Sequence, residues 1–428
     1  MTAAIPEAAA GVNDHPSDAL GDDPNPAPPI WADVLIVGGG LVGGTLAIAL
    51  AQGGLTSLVI EAGDPQAALD AGFDGRCSAI ALTSQRMLAA LGLWEPLTAD
   101  AAPMLDIRVS DGASSLFLHY DHRDVGDQPF GYMLENRLLR RALLTRMRAE
   151  PAIRLIAPDR ITRLERAGDG VEARLASGGR LRATLVIAAD GRGSRIRDEA
   201  GIRVTRWSYG QTAIVCTVRH QRSHDFIAHE HFLPAGPFAI LPLQPGDRSS
   251  LVWTERAELA PLIMGGSDAQ FLAELERRFG DFLGNLTVEG PRFSHPLSLQ
   301  YAWRAVDRRL ALVGDAAHAM HPIAGQGLNM GFRDVAALAE VLGDAKRRKA
   351  DPGAPQVLAR YQRWRRFDNT LMLAMTDGLN RLFSNDIAPI RLARDLGLAG
   401  VNRMPALKRL FMRHAMGLAG ELPRLMRG

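Results

Sequence analysis

From Trp31 to Val37 the chain reads Trp-Ala-Asp-Val-Leu-Ile-Val, a short apolar run of the kind that forms a strand buried on both faces. It passes into Gly38-Gly39-Gly40-Leu41-Val42-Gly43-Gly44, after which Thr45–Gln52 has helical composition and is closed by Gly53-Gly54. A second apolar run, Leu55–Ile60, stops at Glu61. Strand, glycine loop, helix, strand and acid in this order make a βαβ unit of about thirty residues. Further on, the pattern predicts helices over Thr83–Leu91 and Asn136–Arg148, and strands over Arg154–Ile156, Gly170–Leu175 and Leu181–Ala188. Residues 202–300 change character, with β-like runs at Thr212–Val218, Phe238–Leu243 and Ser249–Thr254 around one helix, Ala269–Phe279. A buried strand returns at Leu310–Val313, followed by Gly314-Asp315, a glycine-rich turn and a helix predicted over Leu328–Leu342. Residues 345–355 form a charged break, and the chain is mostly helical from Val357 onward.

This order predicts an α/β fold with an inserted sheet. A Rossmann-like domain is assembled from residues 31–110, 131–201 and 301–350, and a β-sheet substrate domain from 111–130 and 202–300. A C-terminal helical region covers 351–428. Residues 1–30, rich in Ala, Pro, Asp and Gly, lack the basic start and apolar stretch of a secretory signal and read as a disordered tail. With 47% hydrophobic and 22% charged residues the chain can bury a large core, and a net charge of +2 excludes an overall electrostatic basis for nucleic-acid binding. No uninterrupted apolar window is long enough for a membrane span. Cys77 and Cys216 stand far apart with no metal-type spacing, which fits a reducing, cytoplasmic setting and two small buried hydrophobes. His229-Glu230-His231 puts two imidazoles on one face of a strand, but no third ligand is evident and no metal is expected.

The candidate chemistry begins at Gly38, Gly40 and Gly43, which meet the pattern G-x-G-x-x-G in its proper context: a strand before, a helix after, and Glu61 downstream. Gly38 makes the tight turn, Gly40 lets backbone approach a pyrophosphate, and Gly43 lets helix and strand pack closely. The helix N-terminus offers unpaired N–H groups to phosphate, and Glu61 can bind ribose hydroxyls while repelling a 2′-phosphate. This fingerprint alone does not separate FAD from NAD. Two later segments do, each following an apolar strand: Ala188-Ala189-Asp190-Gly191-Arg192-Gly193-Ser194, and Gly314-Asp315 leading to His321-Pro322-Ile323-Ala324-Gly325-Gln326-Gly327-Leu328-Asn329. Asp315, at a strand end, can accept a hydrogen bond from a ribityl hydroxyl. Gly325 and Gly327 leave backbone free to meet an isoalloxazine edge, and the helix beginning near Leu328 points its positive end at the flavin pyrimidine.

These residues resemble the flavoprotein aromatic hydroxylases of the p-hydroxybenzoate hydroxylase type and, more closely, the ubiquinone-biosynthesis hydroxylases. The matching stretches are Asp74–Leu82, Glu135–Leu139, His321–Asn329 and Tyr361–Asp368. The resemblance implies FAD contacts from Arg76 and Arg137, and from Gln326, Leu328 and Asn329 in the flavin loop. Asp190 would position FAD and dock the nicotinamide, with a plain turn role as its alternative. His321 and Pro322 become candidates for an active-site role, and His318 for a supporting one. NAD(P)H would bind without a second Rossmann domain, O₂ would be activated as a flavin C4a-hydroperoxide, and the substrate would be a polyprenylated phenol. Association with other ubiquinone-pathway enzymes is expected from the family. The pocket should be mainly apolar, formed where the inserted sheet covers the flavin, with Phe238, Ile240, Leu241 and Pro242 as lining residues. The alternatives are a flavin hydroxylase of a soluble aromatic, a flavin reductase or dehydrogenase without oxygen insertion, and a non-catalytic prenyl-binding carrier.

The C-terminus adds one more possibility. From Arg403 onward Lys and Arg outnumber the single acid, Glu421, and Leu407, Leu410, Phe411, His414 and Leu418 fall on one helical face. Such a basic amphipathic helix can lie on an anionic membrane surface, which would make the protein peripheral on the inner membrane. Equally, it can pack on the protein body with its arginines in solvent.

Overall fold

The computed structural model describes residues 28–70, 73, 75–112, 117–320, 325–383 and 400–428. Asp74, His321, Pro322, Ile323 and Ala324 lie outside the described residues, as do residues 1–27 of the expected tail. Strands and helices are numbered in chain order.

The first sheet is built around β1 (Ile30–Val37), which runs parallel to β2 (Ser57–Ile60) on one side and β11 (Arg180–Ala188) on the other. β8 (Ile153–Ile156) extends it beyond β2, and β18 (Leu310–Leu312) beyond β11, both parallel. β17 (Val306–Asp307) closes that edge, and a hairpin of β9 (Ile161–Arg166) and β10 (Val171–Leu175) pairs with the first half of β11. The second sheet takes β5 (Asp106–Asp111), β6 (Phe117–Asp121), β12 (Val204–His220), β13 (Ile227–Leu233), β14 (Gly236–Leu243), β15 (Arg248–Arg256), β16 (Leu286–Ala302) and β19 (His318–Ala319). Its order is β19-β16-β12-β15-β14-β13-β5-β6, antiparallel except for the parallel pair β13 and β5. A small third sheet, β3 (Cys77–Ala81), β7 (Gly131–Glu135) and β4 (Ala102–Met104), stands beside them.

The domain boundaries differ from the sequence reading in two places. The inserted sheet begins at Asp106 rather than 111, because Asp106–Asp111 pairs with β13. That segment alternates weakly and carries no turn signal to mark the crossing. Residues 301–350 are not wholly part of the first domain either, since Tyr301 and Ala302 end β16 and His318-Ala319 pairs back onto it.

The helices are α1 (Leu41–Gln52), α2 (Pro65–Asp70), α3 (Leu82–Ala90), α4 (Asn136–Ala149), α5 (Arg195–Glu199), α6 (Ala260–Gly265), α7 (Asp268–Phe279), α8 (Gln326–Arg347), α9 (Pro355–Phe383) and α10 (Pro405–Ala415). α1 starts directly on Gly40 and is apolar all round, because it is enclosed between the first sheet and α8, with Leu46, Ile48 and Leu50 fully covered. α7 begins with a capping box, Ser267 with Gln270, and lays Phe271, Leu275 and Phe279 on the outer face of the second sheet against Ile214, Phe238, Ile240 and Trp253. The opposite face of that sheet is left to cover a cavity. Among the described residues no helix is long and apolar enough to cross a membrane.

Candidate active site

The glycine loop between β1 and α1 is where backbone comes closest to backbone. Gly38 has φ +102° and donates its N–H to the Ile60 carbonyl at 2.8 Å. A Cβ on Gly43 would sit inside the van der Waals radius of the Gly38 carbonyl oxygen, so close packing at the helix start requires glycine. Gly40 is different: a Cβ there meets no protein atom within 4 Å. Nothing in the fold requires glycine at 40, which is the condition expected if a ligand's phosphates occupy that space. Glu61, at the end of β2, accepts the Gly39 N–H at 2.8 Å and the Gly63 N–H at 3.0 Å, and keeps lone pairs for a ribose.

The two downstream segments meet this loop. Asp190 follows β11, and a Cβ on Gly38 would crowd the carbonyl of neighbouring Ala189. One Asp190 oxygen receives the Ile196 N–H at 3.4 Å, while the other is buried without a partner. Burial raises its carboxyl above the usual carboxylate range, with the neighbouring Ser194 hydroxyl pulling the other way. Arg197, wholly buried, donates to the Arg192 carbonyl at 3.0 Å and the Ala316 carbonyl at 3.2 Å, tying the Asp-Gly segment to the Gly-Asp segment. Asp315 opens onto the cavity but is otherwise enclosed by protein. That enclosure raises its carboxyl, with His318 and Arg192 pulling the other way.

Beneath Gly314 lies a buried ionic knot. Asp334 on α8 accepts from the Gly314 N–H at 2.9 Å, His318 at 2.7 Å and Arg365 of α9 at 2.7 Å. Arg365 also holds Asp368 at 2.7 Å and Asn369 at 2.7 Å, and the Tyr361 hydroxyl donates to the Leu312 carbonyl at 2.9 Å. His318 therefore supports the loop rather than facing a ligand.

α8 starts on Gly325, whose left-handed φ of +60° and contact with Ala79 (an added Cβ would lie 2.9 Å from Ala79 Cβ) suit glycine alone. A Cβ on Gly327, like one on Gly40, meets nothing within 4 Å. Asn329 lines the cavity but its amide is committed. It accepts from the Ala81 N–H at 2.9 Å and donates to the Ala79 carbonyl at 2.8 Å and the Gly325 carbonyl at 3.1 Å, so its role is to pin β3 to the start of α8. Of the expected cofactor residues, Asp315 and Gly325–Asn329 border the cavity, whereas Gly38, Gly40, Gly43, Glu61, Asp190, Arg76 and Arg137 do not. Arg76 is exposed and its carbonyl accepts the Asn136 N–H at 2.9 Å, while Arg137 is ion-paired to Glu135 at 2.6 Å. Asn136 and Ser78, hydrogen-bonded at 2.7 Å, do border it, as does Arg192, which holds Ser298 at 2.9 Å. The sequence reading passed over these three, although all lie inside segments it quoted.

The cavity measures about 1030 Å³. Leu41, Val42, Asp315 and Gly325–Asn329 form one end, and the inner face of the second sheet forms a broad apolar wall. Phe411, Met412 and His414 of α10 close another side. Of the four lining residues expected on β14, only Leu241 reaches the cavity. The residues in phase with it are Ala239 and Pro237, while Phe238 and Ile240 point to the α7 side and Pro242 does not border the space. Strand side chains alternate with period two, so four consecutive residues cannot share one face. In His229-Glu230-His231, His231 is bonded to Ser110 at 2.7 Å and the His229 ring lies tilted against Phe282, 4.7 Å between centroids, while both Glu230 and His229 border the cavity.

α10 also corrects its predicted face. Its buried positions are Met412 and, just beyond it, Met416, whereas Leu410 is 59% and Phe411 36% exposed. Lys408 is paired to Asp124 at 2.8 Å, so the helix is packed on the body of the protein with Arg403, Arg409 and Arg413 in solvent.

Comparison with known proteins agrees with this geometry. A family model described as FAD binding domain matches residues 31–373. The chain is 60% identical over 419 residues to the ubiquinone hydroxylase UbiL of Rhodospirillum rubrum, covering 96% of this chain and 97% of that one. It is 37% identical over 388 residues to the 3-demethoxyubiquinol 3-hydroxylase of Escherichia coli, covering 90% and 98%. Among solved structures, p-nitrophenol 4-monooxygenase of Pseudomonas putida shares the fold with a TM-score of 0.77 at 21% identity, over 92% of this chain and 99% of that one.

Proposed function

The chain belongs to the FAD binding domain family, and from that membership we propose that it hydroxylates the aromatic ring of a polyprenylated phenol in ubiquinone biosynthesis, using FAD, NAD(P)H and O₂. One observation carries the reading: a single cavity has the start of α1 (Leu41 and Val42), Asp315 and the Gly325–Asn329 turn at one end and an extended apolar sheet face along its side. Its volume of about 1030 Å³ is at the upper end of small-molecule sites, enough for a ring and part of an apolar tail beside a flavin.

Bound FAD supplies the redox chemistry, taking a hydride from NAD(P)H and activating O₂ toward an electron-rich ring. The protein's part is placement. Gly40 and the first turn of α1 would receive the pyrophosphate, Glu61 the ribose and Asp315 the ribityl chain. Gly325–Leu328 would lie along the ring edge, with the positive end of α8 favouring negative charge there. The apolar walls keep water from the reacting atoms and so protect oxygen transfer from wasteful peroxide release.

The test is direct. FAD-loaded protein given 2-geranylphenol is expected to oxidise NAD(P)H and consume O₂ faster than without it, with hydroxylated product matching the O₂ consumed. A yellow protein whose NAD(P)H oxidation ignores the phenol would favour the reductase or carrier readings instead.

The same reading includes a membrane-surface role on the cytoplasmic side. Leu382 and Phe411 line the cavity yet are 45% and 36% exposed, and Met404 and Leu410 stand nearby at 56% and 59%. With Arg403, Arg409 and Arg413 this makes an apolar rim with basic flanks, suited to receive a lipid-borne substrate from an anionic leaflet. A complex with other enzymes acting on the same ring would spare that ring from leaving the bilayer. Changing Met404 and Leu410 together to Glu is expected to weaken partition onto phosphatidylglycerol vesicles by about tenfold or more, with flavin content intact. Equal partition of both proteins in a sedimentation assay would remove the membrane reading.

A further inference from the structure

The sheet face that walls the cavity alternates as a buried face should. Ile107 and Val109 on β5, Ala228 and Phe232 on β13, Ala239 and Leu241 on β14, and Val252 on β15 all turn to the cavity. Tyr120 on β6 and Thr254 on β15 add hydroxyls to this face, and one position places an acid on it. Glu230 stands between Ala228 and Phe232, paired with Val109 on one side and Ala239 on the other, near the middle of this wall. A carboxylate here costs free energy unless something pairs with it.

Nothing among the described residues does. Two other buried acids, Glu135 and Glu255, are matched, by Arg137 at 2.6 Å and by Arg278 at 3.2 Å. The remaining titratable residues bordering the cavity are Cys77 on β3, Tyr120 on β6, Arg192 and Asp315 near the Gly314 turn, His229 on β13 and His414 on α10. On Glu230's own strand His231 turns to the other face, bonded to Ser110, and His229 has its ring against Phe282 although it also borders the cavity. Burial alone raises the Glu230 carboxyl to about 7, with no charged neighbour opposing it. Fold stability gives no reason for this residue, since an apolar side chain would complete the wall. The reason must come from a partner that enters the cavity.

We propose that Glu230 recognises the ring hydroxyl of the substrate, its carboxyl oxygen accepting the phenolic O–H and so fixing how the ring lies in the cavity. The inference rests on the substrate being a phenol, as proposed above. It adds the residue that distinguishes a free hydroxyl from a blocked one. The apolar residues around Glu230 hold the rest of the molecule by area alone and tolerate variation there. A phenol brings a donor to the buried acceptor, whereas its methyl ether brings none and leaves the carboxyl desolvated and unmatched. Accepting the hydrogen bond also increases electron density on the ring, which favours attack on an electrophilic oxygen.

The test uses full-length, FAD-loaded protein and two probes, 2-geranylphenol and its methyl ether, with binding read from the perturbed absorption of the bound flavin. Wild-type protein is expected to bind the phenol about tenfold or more tightly than the ether, and the preference should strengthen as pH rises through about 7. Glu230→Leu should bind both probes alike. Glu230→Gln, which keeps an acceptor oxygen but cannot ionise, should retain part of the preference and lose its pH dependence. Undiminished preference in flavin-replete Glu230→Leu, an unchanged pH profile in Glu230→Gln, or a wild type that does not discriminate overturns the inference. The readout needs no turnover. A wild type that discriminates the probes without hydroxylating the phenol would therefore sink the proposed reaction and leave the role of Glu230 standing.

Discussion

Asp334→Ala is expected to destabilise the protein by about 3–5 kcal/mol, the largest stability loss of any single polar substitution described above. The carboxylate is fully enclosed and receives three donors: the Gly314 N–H, His318 and the Arg365 guanidinium. Alanine would leave all three without that acceptor, and Arg365, 1% exposed, would keep only Asp368 and Asn369. Breaking one side of a buried ion pair costs more than the pair contributes, because the remaining charge stays out of water. Burial by itself would raise the Asp334 carboxyl, yet His318 and Arg365 hold it down, to about 2 from 3.8. The folded state therefore binds this proton less readily than the unfolded chain. The stabilisation is complete above the unfolded value and is lost as pH falls from about 4 toward 2. Urea unfolding at neutral pH and again near pH 3 measures both claims. A variant with an unchanged midpoint at neutral pH would show that the knot contributes nothing. Because Asp334 holds the backbone of Gly314, next to Asp315, flavin release is expected to accompany the loss of stability.

The contrast between what the sequence announced and what it withheld follows interaction range. The β1–glycine loop–α1 unit was legible because its requirements are local: the close approach at Gly43 can be met only by glycine, and Gly40 stands at the fixed spacing where a phosphate would lie. Glu61 was legible for the same reason, although its visible work in this structure is to hold Gly39 and Gly63. Arg197 and Arg365 were not, because the partners that bury them, the Ala316 carbonyl and Asp334, lie 119 and 31 residues away and a buried arginine reads in sequence as a surface one. The lining of the cavity failed at a finer level. Phe238–Leu243 was recognised as a strand, but which of its two faces meets the cavity depends on α7 covering the other, a fact of tertiary packing. Glu230 was quoted only within a metal-like triplet, and its importance emerges once Ala228 and Phe232 are seen to share its face. α10 shows the same limit. Its composition fits a membrane surface and a protein surface equally, and only the burial of Met412 and Met416 identifies which side is packed.

Gly40→Ala and Gly43→Ala should both yield protein without flavin, and for different reasons that one pair of measurements separates. At Gly43 the added methyl collides with the Gly38 carbonyl and comes within 3.1 Å of Ala189 Cβ. The obstacle is backbone, so no rotamer change relieves it, and the loop or α1 must move. Overpacking of this kind costs about 1–3 kcal/mol and sometimes more, so Gly43→Ala should lose stability as apoprotein as well as flavin. At Gly40 the methyl meets no protein atom within 4 Å, and the residue's φ of −68° suits alanine. The apoprotein should therefore be about as stable as the unaltered one. Its methyl would project into the space assigned to the pyrophosphate, so FAD binding is expected to weaken by two orders of magnitude or so, which corresponds to about 3 kcal/mol. Thermal unfolding of the two flavin-stripped variants, with flavin titration of each, provides the comparison. Full flavin occupancy in Gly40→Ala would place the phosphates elsewhere and undo the assignment of this loop. A destabilised Gly40→Ala apoprotein would instead show that the glycine serves the fold. Only a stable protein unable to keep its cofactor makes Gly40 a binding residue in its own right, because the ligand is then the only thing the methyl can meet.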